Sequence, residues 1–137
     1  MTTFLNPEGM HPPLGPYSHM ALVPAGVQTV TISGQVGMRA DGSVPGSLAE
    51  QADQALRNIA ENLSSVGLGI DALAKITTFV VAGQDARCLR EVFARHLGAH
   101  RPASTGMFVH QLMDPALLIE IEAIAVFMPA DGPARPA

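Results

Sequence analysis

Leu117-Leu118-Ile119-Glu120-Ile121-Glu122-Ala123-Ile124-Ala125-Val126-Phe127 reads as a β-strand, and its two carboxylates decide what kind of sheet it joins. Strand side chains alternate between faces, so Ile119, Ile121, Ala123, Ala125 and Phe127 share one side. Glu120, Glu122, Ile124 and Val126 share the other. The first side is core. The second sets two carboxylates side by side on a strand that turns apolar at its far end, and an ionised carboxylate is costly to desolvate without a partner. That side is expected to meet water, a donor-rich pocket or another subunit. On this stretch alone, a solvated edge with two ordinary surface glutamates reads equally well.

The segments around it supply the layers. Asp114-Pro115 turns the chain into the closing strand, and Ser104–Leu112 is a strand candidate before it. Lys75–Val81, KITTFVV, is β-branched and apolar on both faces, which predicts a central strand. Ser47 to Val66 is predicted to be helical. Ser47 and Glu50 form an S-x-x-E capping box, Leu48, Ala52, Ala55, Leu56, Ile59, Leu63 and Val66 recur at helical spacing, and Gly67 supplies the stop. Arg57, Asn58, Glu61 and Asn62 largely fall on its other faces. A second helix is capped by Asp85 and runs to Leu97, with Leu89, Val92, Phe93, His96 and Leu97 inward and Gly98 at its end. His100-Arg101-Pro102 is a connector.

Ahead of the first helix, Tyr17–Val23 and Val27–Ile32 are β-rich runs around Pro24-Ala25-Gly26, which predicts a hairpin. The second run ends in Ser33-Gly34-Gln35, where glycine allows a bulge or a close backbone approach. Residues 1–16 carry Pro7, Pro12, Pro13 and Pro16 and are expected to form a draped loop. The tail from Pro129 is expected to be disordered. The order β-β-α-β-α-β-β argues for an α+β layer, one sheet with two helices on one face, in a single domain over residues 1–128.

Composition narrows the function. Apolar residues make up 47% of the 137 and charged residues only 15%, which favours an oligomer that hides surface. A net charge of −4, with eight Lys and Arg and no basic run, counts against a nucleic-acid partner. No apolar run approaches a membrane span, and the N-terminus lacks a signal-peptide core. One cysteine, Cys88, fits a reducing cytoplasm and reads as an inert thiol. His96 and His100 are four apart but separated by helix-breaking Gly98, and no H-E-x-x-H or paired-cysteine spacing exists, so no metal site is expected. His96 reads as a hydrogen-bonded core residue. No glycine-rich nucleotide cradle is present, and no cofactor is expected. What remains is Glu120, a carboxylate on a rigid strand, suited to orienting a water and passing protons.

Several short segments carry a resemblance. Gly15-Pro16-Tyr17-Ser18-His19, Ser33-Gly34-Gln35, Gln51 through Asn58-Ile59, Arg101-Pro102-Ala103 and Ile119 through Ala125 occur in the order and spacing of the RidA (YjgF-like) reactive intermediate/imine deaminase family. The chain resembles that family from about residue 6 to residue 127. The resemblance implies a chorismate-mutase-like α+β fold that assembles as a homotrimer, its sheets forming a central barrel and its ligand clefts lying between subunits. It further implies hydrolysis of 2-imino or 2-amino acrylate-like acids to 2-keto acids and ammonia, with a small-molecule substrate in the cleft. Carried over, Glu120 falls on the residue that positions the attacking water, Tyr17 is the second catalytic candidate, and Ser33 and Gly34 fall on substrate-binding cleft positions.

The family's carboxylate-clamping arginine does not carry over. Pro102-Ala103-Ser104-Thr105 stands where the family has P-A-R-S, so Ser104 replaces the arginine, with Thr105 after it. Gly106 takes a position often held by Cys, and Arg90 one held by Asn in N-E-V-Y members. A hydroxyl lacks the bidentate charge match of a guanidinium, a loss of roughly 1.5–3 kcal/mol of binding. Arg101, three residues upstream, is the candidate replacement. Three readings follow. The first is an imine or enamine hydrolase whose substrate is not a simple 2-imino acid. The second is a non-catalytic trimeric ligand-binding or protein-protecting module. The third is an endoribonuclease, which the acidic balance opposes.

Overall fold

The structure is a computed structural model that describes residues 1–129, so the tail expected from Pro129 onward lies, past that proline, outside the described residues. Strands β1 (Thr3–Leu5), β2 (Met20–Leu22) and β3 (Gln28–Val36) precede helix α1 (Leu48–Ser65). Strand β4 (Leu73–Val81), helix α2 (Leu89–Leu97) and strands β5 (Ala103–Val109) and β6 (Ile119–Phe127) follow. Among the described residues no helix is long and apolar enough to cross a membrane.

Helix α1 begins and ends as its sequence requires. Ser47 Oγ accepts from the Glu50 N–H at 3.2 Å and donates to the Glu50 carboxylate at 3.0 Å. At the other end Gly67, at φ 75°, closes a double reverse bond, with its own N–H on Ser64 O and the Leu68 N–H on Leu63 O. The buried stripe of α1 is the periodic set apart from Val66, which is only partly buried as the C-cap, and it adds Gln51. Gly37 allows the helix to approach, since a Cβ there would lie 2.5 Å from Gln51 Cα.

The main sheet runs β3-β6-β4-β5, antiparallel except for the β4–β5 pair, whose parallel crossover is made through α2. β4 is central, as its two-sided apolar pattern predicts. β6 lies between β3 and β4, so Glu120 and Glu122 are not on a solvated edge strand. Leu56, Ile59 and Leu63 of α1 and Val92 and Leu97 of α2 share one buried cluster with Ile76, Ile119 and Ile121 of the sheet. Both helices therefore cover one face. The other face is free of helices and carries Glu120, Glu122 and Ile124 beside Thr77 and Phe79 of β4.

Two expectations are corrected at the N-terminus. The hairpin between the two early β-rich runs does not form. Gly26 turns the chain at φ 85°, but β3 pairs with β6, where Val30 and Ile32 join the core, while β2 pairs antiparallel with β1. β1 lies within the stretch expected to be loop. It precedes Pro7, so its backbone N–H groups are free to pair, and it forms a small second sheet, making the order β-β-β-α-β-α-β-β. β5 also ends at Val109, three residues short of the predicted Leu112.

The helices are tied by one polar junction. His96 Nε2 lies 2.7 Å from Asp53 Oδ1, and Arg57 Nε donates to Asp53 Oδ2 at 2.8 Å. His96 is thus a hydrogen-bonded residue at the helix interface. The His96 bond first, and the Arg57 bond second, hold the Asp53 carboxyl below its ordinary value of 3.8. A carboxylate whose folded pKa is depressed contributes stability that is present above the ordinary value and lost as pH falls through the folded one. Denaturant midpoints are expected to hold steady above about pH 5 and to fall below about pH 4, and Asp53→Asn should shrink that fall. An Asp53→Asn profile that overlays wild type would remove the junction from the acid response.

Candidate functional site

β3 carries a bulge between Ile32 and Gln35, and Gly34 sits in it. A Cβ at Gly34 would lie 2.6 Å from Cδ and 2.8 Å from Cγ of Glu120, so the glutamate side chain occupies the space that any other residue would fill. Gly34 is there for close approach, since it is absent from the glycines with positive φ. The Glu120 carboxylate, half-buried on the helix-free face, has no hydrogen-bond or ion-pair partner among the described residues. It borders a hollow with Phe79, Glu122 and the loop residues Gln111, Leu112 and Met113. Ser33 is exposed beside it, its carbonyl accepting from Gln35 Nε2 at 2.9 Å.

The second half of the site lies across the sheet. Buried Ser18 fastens the Gly15–His19 segment to the start of β5. Its N–H donates to Pro102 O at 3.1 Å, its hydroxyl donates to Arg101 O at 2.6 Å, and it bridges Ala103. That docking puts Tyr17 beside Ser104, and the Tyr17 hydroxyl accepts from the Leu14 N–H at 3.1 Å. Both line a groove of about 340 Å³ on the helix side of the sheet, walled by β4, β5 and α2. Its lining is mostly apolar, with Val80, Leu89, Phe93 and Phe108 prominent.

The proposed substrate contacts divide accordingly. Ser104 pairs with Ile76 and faces the groove, whereas Thr105 pairs with Thr77 and faces the helix-free side, where Lys75 Nζ donates to its hydroxyl at 2.6 Å. Arg101 takes neither position. Its Nη1 donates to Gly98 O at 2.6 Å and His100 O at 3.0 Å, folding the guanidinium over the end of α2. Within one chain, Tyr17 and Ser104 come together, and Glu120, Gly34 and Ser33 come together, but the two groups stand on opposite faces. Arg90 of α2 lines the groove beside Ser104 and Tyr17 and was not assigned a role from sequence. The one signal for it was a cation set between Leu89 and Phe93, the groove-facing residues of the helix.

The family model described as Endoribonuclease L-PSP matches residues 9–127. The chain is 38% identical over 115 residues to the 2-iminobutanoate/2-iminopropanoate deaminase of Bos taurus, an alignment that covers 82% of this chain and 81% of that protein. Its human counterpart is 34% identical over the same coverage. Among solved structures, the Rid-family protein YyfB of Yersinia pestis matches with a TM-score of 0.82 at 32% identity, covering 92% of this chain and 98% of that one. Escherichia coli TdcF with bound serine matches with a TM-score of 0.67 at 28% identity, covering 91% and 98%.

Proposed function

This chain belongs to the RidA/YjgF-like family, and on that ground we propose that it hydrolyses C=N compounds as an imine or enamine deaminase. The observation that carries the reading is the Glu120 carboxylate, without a partner among the described residues, held against Gly34 on an interior strand. Glu120 takes a proton from water as the water oxygen bonds to the C=N carbon. The nitrogen is protonated in the resulting carbinolamine, the C–N bond breaks, and ammonia leaves a carbonyl behind. One water is consumed per ammonia released.

The working cleft is proposed to lie between subunits. Tyr17 and Ser104 occupy one face of the sheet and Glu120, Gly34 and Ser33 the other, so a second copy is needed to bring them together. In the homotrimer we propose, the helix-free faces turn inward and the β5 edge of one copy, with its groove, abuts the helix-free face of the next. Met107, 44% exposed on edge strand β5, and Ile124 on the free face supply apolar surface for the contact. With Ser104 in place of the clamp arginine, short 2-imino acids are poor substrates. The same substitution is what favours a second reading, a trimeric binding module that has lost the chemistry.

Mixing variants tests the cleft. Light scattering should give about three times 14.3 kDa. Glu120→Gln and Tyr17→Ala trimers, each impaired alone, should regain roughly a quarter of wild-type activity when co-assembled one to one, because that fraction of clefts joins two intact halves. A stable monomer, or mixed trimers with no recovery, contradicts the shared site.

A further inference from the structure

We infer that Arg90 is the anion-binding residue of this cleft, and that it selects C=N substrates with an apolar body and a carboxylate lying toward α2. The inference rests on the deaminase reading for the chemistry, but not for the binding.

Three observations carry it. Arg90 is exposed on the first turn of α2, and it makes no hydrogen bond or ion pair among the described residues, unlike Arg57, Arg87, Arg95 and Arg101. Among the described residues it is the one permanently charged side chain lining the groove that holds Tyr17 and Ser104. The groove also opens beside a second hollow between the Pro13–Pro16 segment and Ala94, whose lining contains, among the described residues, two guanidiniums, Arg90 and Arg101, and no carboxylate. An uncompensated positive field of this kind favours an anion, and a guanidinium matches a carboxylate bidentately.

The position also fits the loss at Ser104. Ser104 is on the strand floor, and Arg90 is on the helix wall across from it. Moving the cation from floor to wall shifts the preferred place of the acid group. Between them Ile76, Val80 and Phe108 of the floor and Phe93 of the wall offer surface to an aliphatic or aromatic body. A small 2-imino acid such as that from alanine has no such body to fill this floor. A larger substrate satisfies both ends.

Binding of 3-phenylpropanoate and its neutral counterpart 3-phenylpropanol, followed by titration calorimetry on the assembled wild-type protein, separates the terms. The wild type should prefer the acid by at least about tenfold, and added salt should narrow the preference. Arg90→Gln should remove it, with the circular dichroism and assembly unchanged because the side chain holds no structural bond. Arg101→Gln should leave most of the preference. Glu120→Gln should retain it in full while losing hydrolysis, so that the binding and the chemistry fail separately. An Arg90→Gln protein that still prefers the acid, or a wild type that binds neither probe because another copy fills the groove, overturns the inference.

Discussion

Glu120→Gln is expected to lower hydrolysis of an imine by about 10²–10⁴-fold, the range for removing a positioned general base. The amide has the shape of the carboxylate and fits against Gly34 as the glutamate does, so the packing should survive. Glu120 makes no hydrogen bond or ion pair among the described residues, so nothing structural is lost with its charge. Assembly and denaturant midpoint should stay at wild-type values. Gly34→Ala is the complementary change. It leaves the base in place and pushes a methyl into Glu120 Cγ and Cδ, so it should lower the rate by moving the carboxylate. A Glu120→Gln enzyme within about twofold of wild type would place the base elsewhere.

The largest stability effect is expected at Gln51, from the other side of the sheet. Its buried amide donates to Pro45 O and Ala116 O, each at 2.9 Å, and its carbonyl accepts from the Leu118 N–H at 2.8 Å. One side chain thus joins α1 to the loop before it and to the entry of β6. Gln51→Leu fills a similar volume but strands one donor and two acceptors, and each orphaned buried group costs about 1–3 kcal/mol. A loss of about 3 kcal/mol or more in chemical unfolding is expected. Because Leu118 stands two residues before Glu120, catalysis should weaken too. A change within about 0.5 kcal/mol would mean that water or a shifted loop replaces those bonds.

Where local chemistry decides the outcome, the sequence was readable. Alternation along Ile119–Phe127 assigned both faces of β6, the capping box and Gly67 bounded α1, and Gly34 marked a close approach. Ser104 and Thr105, read together as substrate contacts, fall on opposite faces of β5 by that same alternation. Pairing was less legible. Three-residue strands such as β1 and β2 hold too few side chains for a period, and a turn at Gly26 does not say which strand the next one joins. β3 chose β6 because Val30 and Ile32 have to reach the core under α1. The hydroxyl of Ser18 and the amides of Gln51 and Asn58 bond to backbone far along the chain, with Asn58 donating to Val36 O and Met38 O. No spacing in the sequence announces such partners. Arg90 was hidden for a related reason, since its groove exists only once α2 packs over β4 and β5.

Ammonia release from imines generated in solution by an amino-acid oxidase tests the deaminase reading with the fewest assumptions. Imines from leucine or phenylalanine should be hydrolysed faster than the uncatalysed rate and in preference to the imine from alanine, and Glu120→Gln should return them to background. Wild-type protein that leaves the whole series, enamines included, at the uncatalysed rate would contradict an enzyme and leave the binding module in its place.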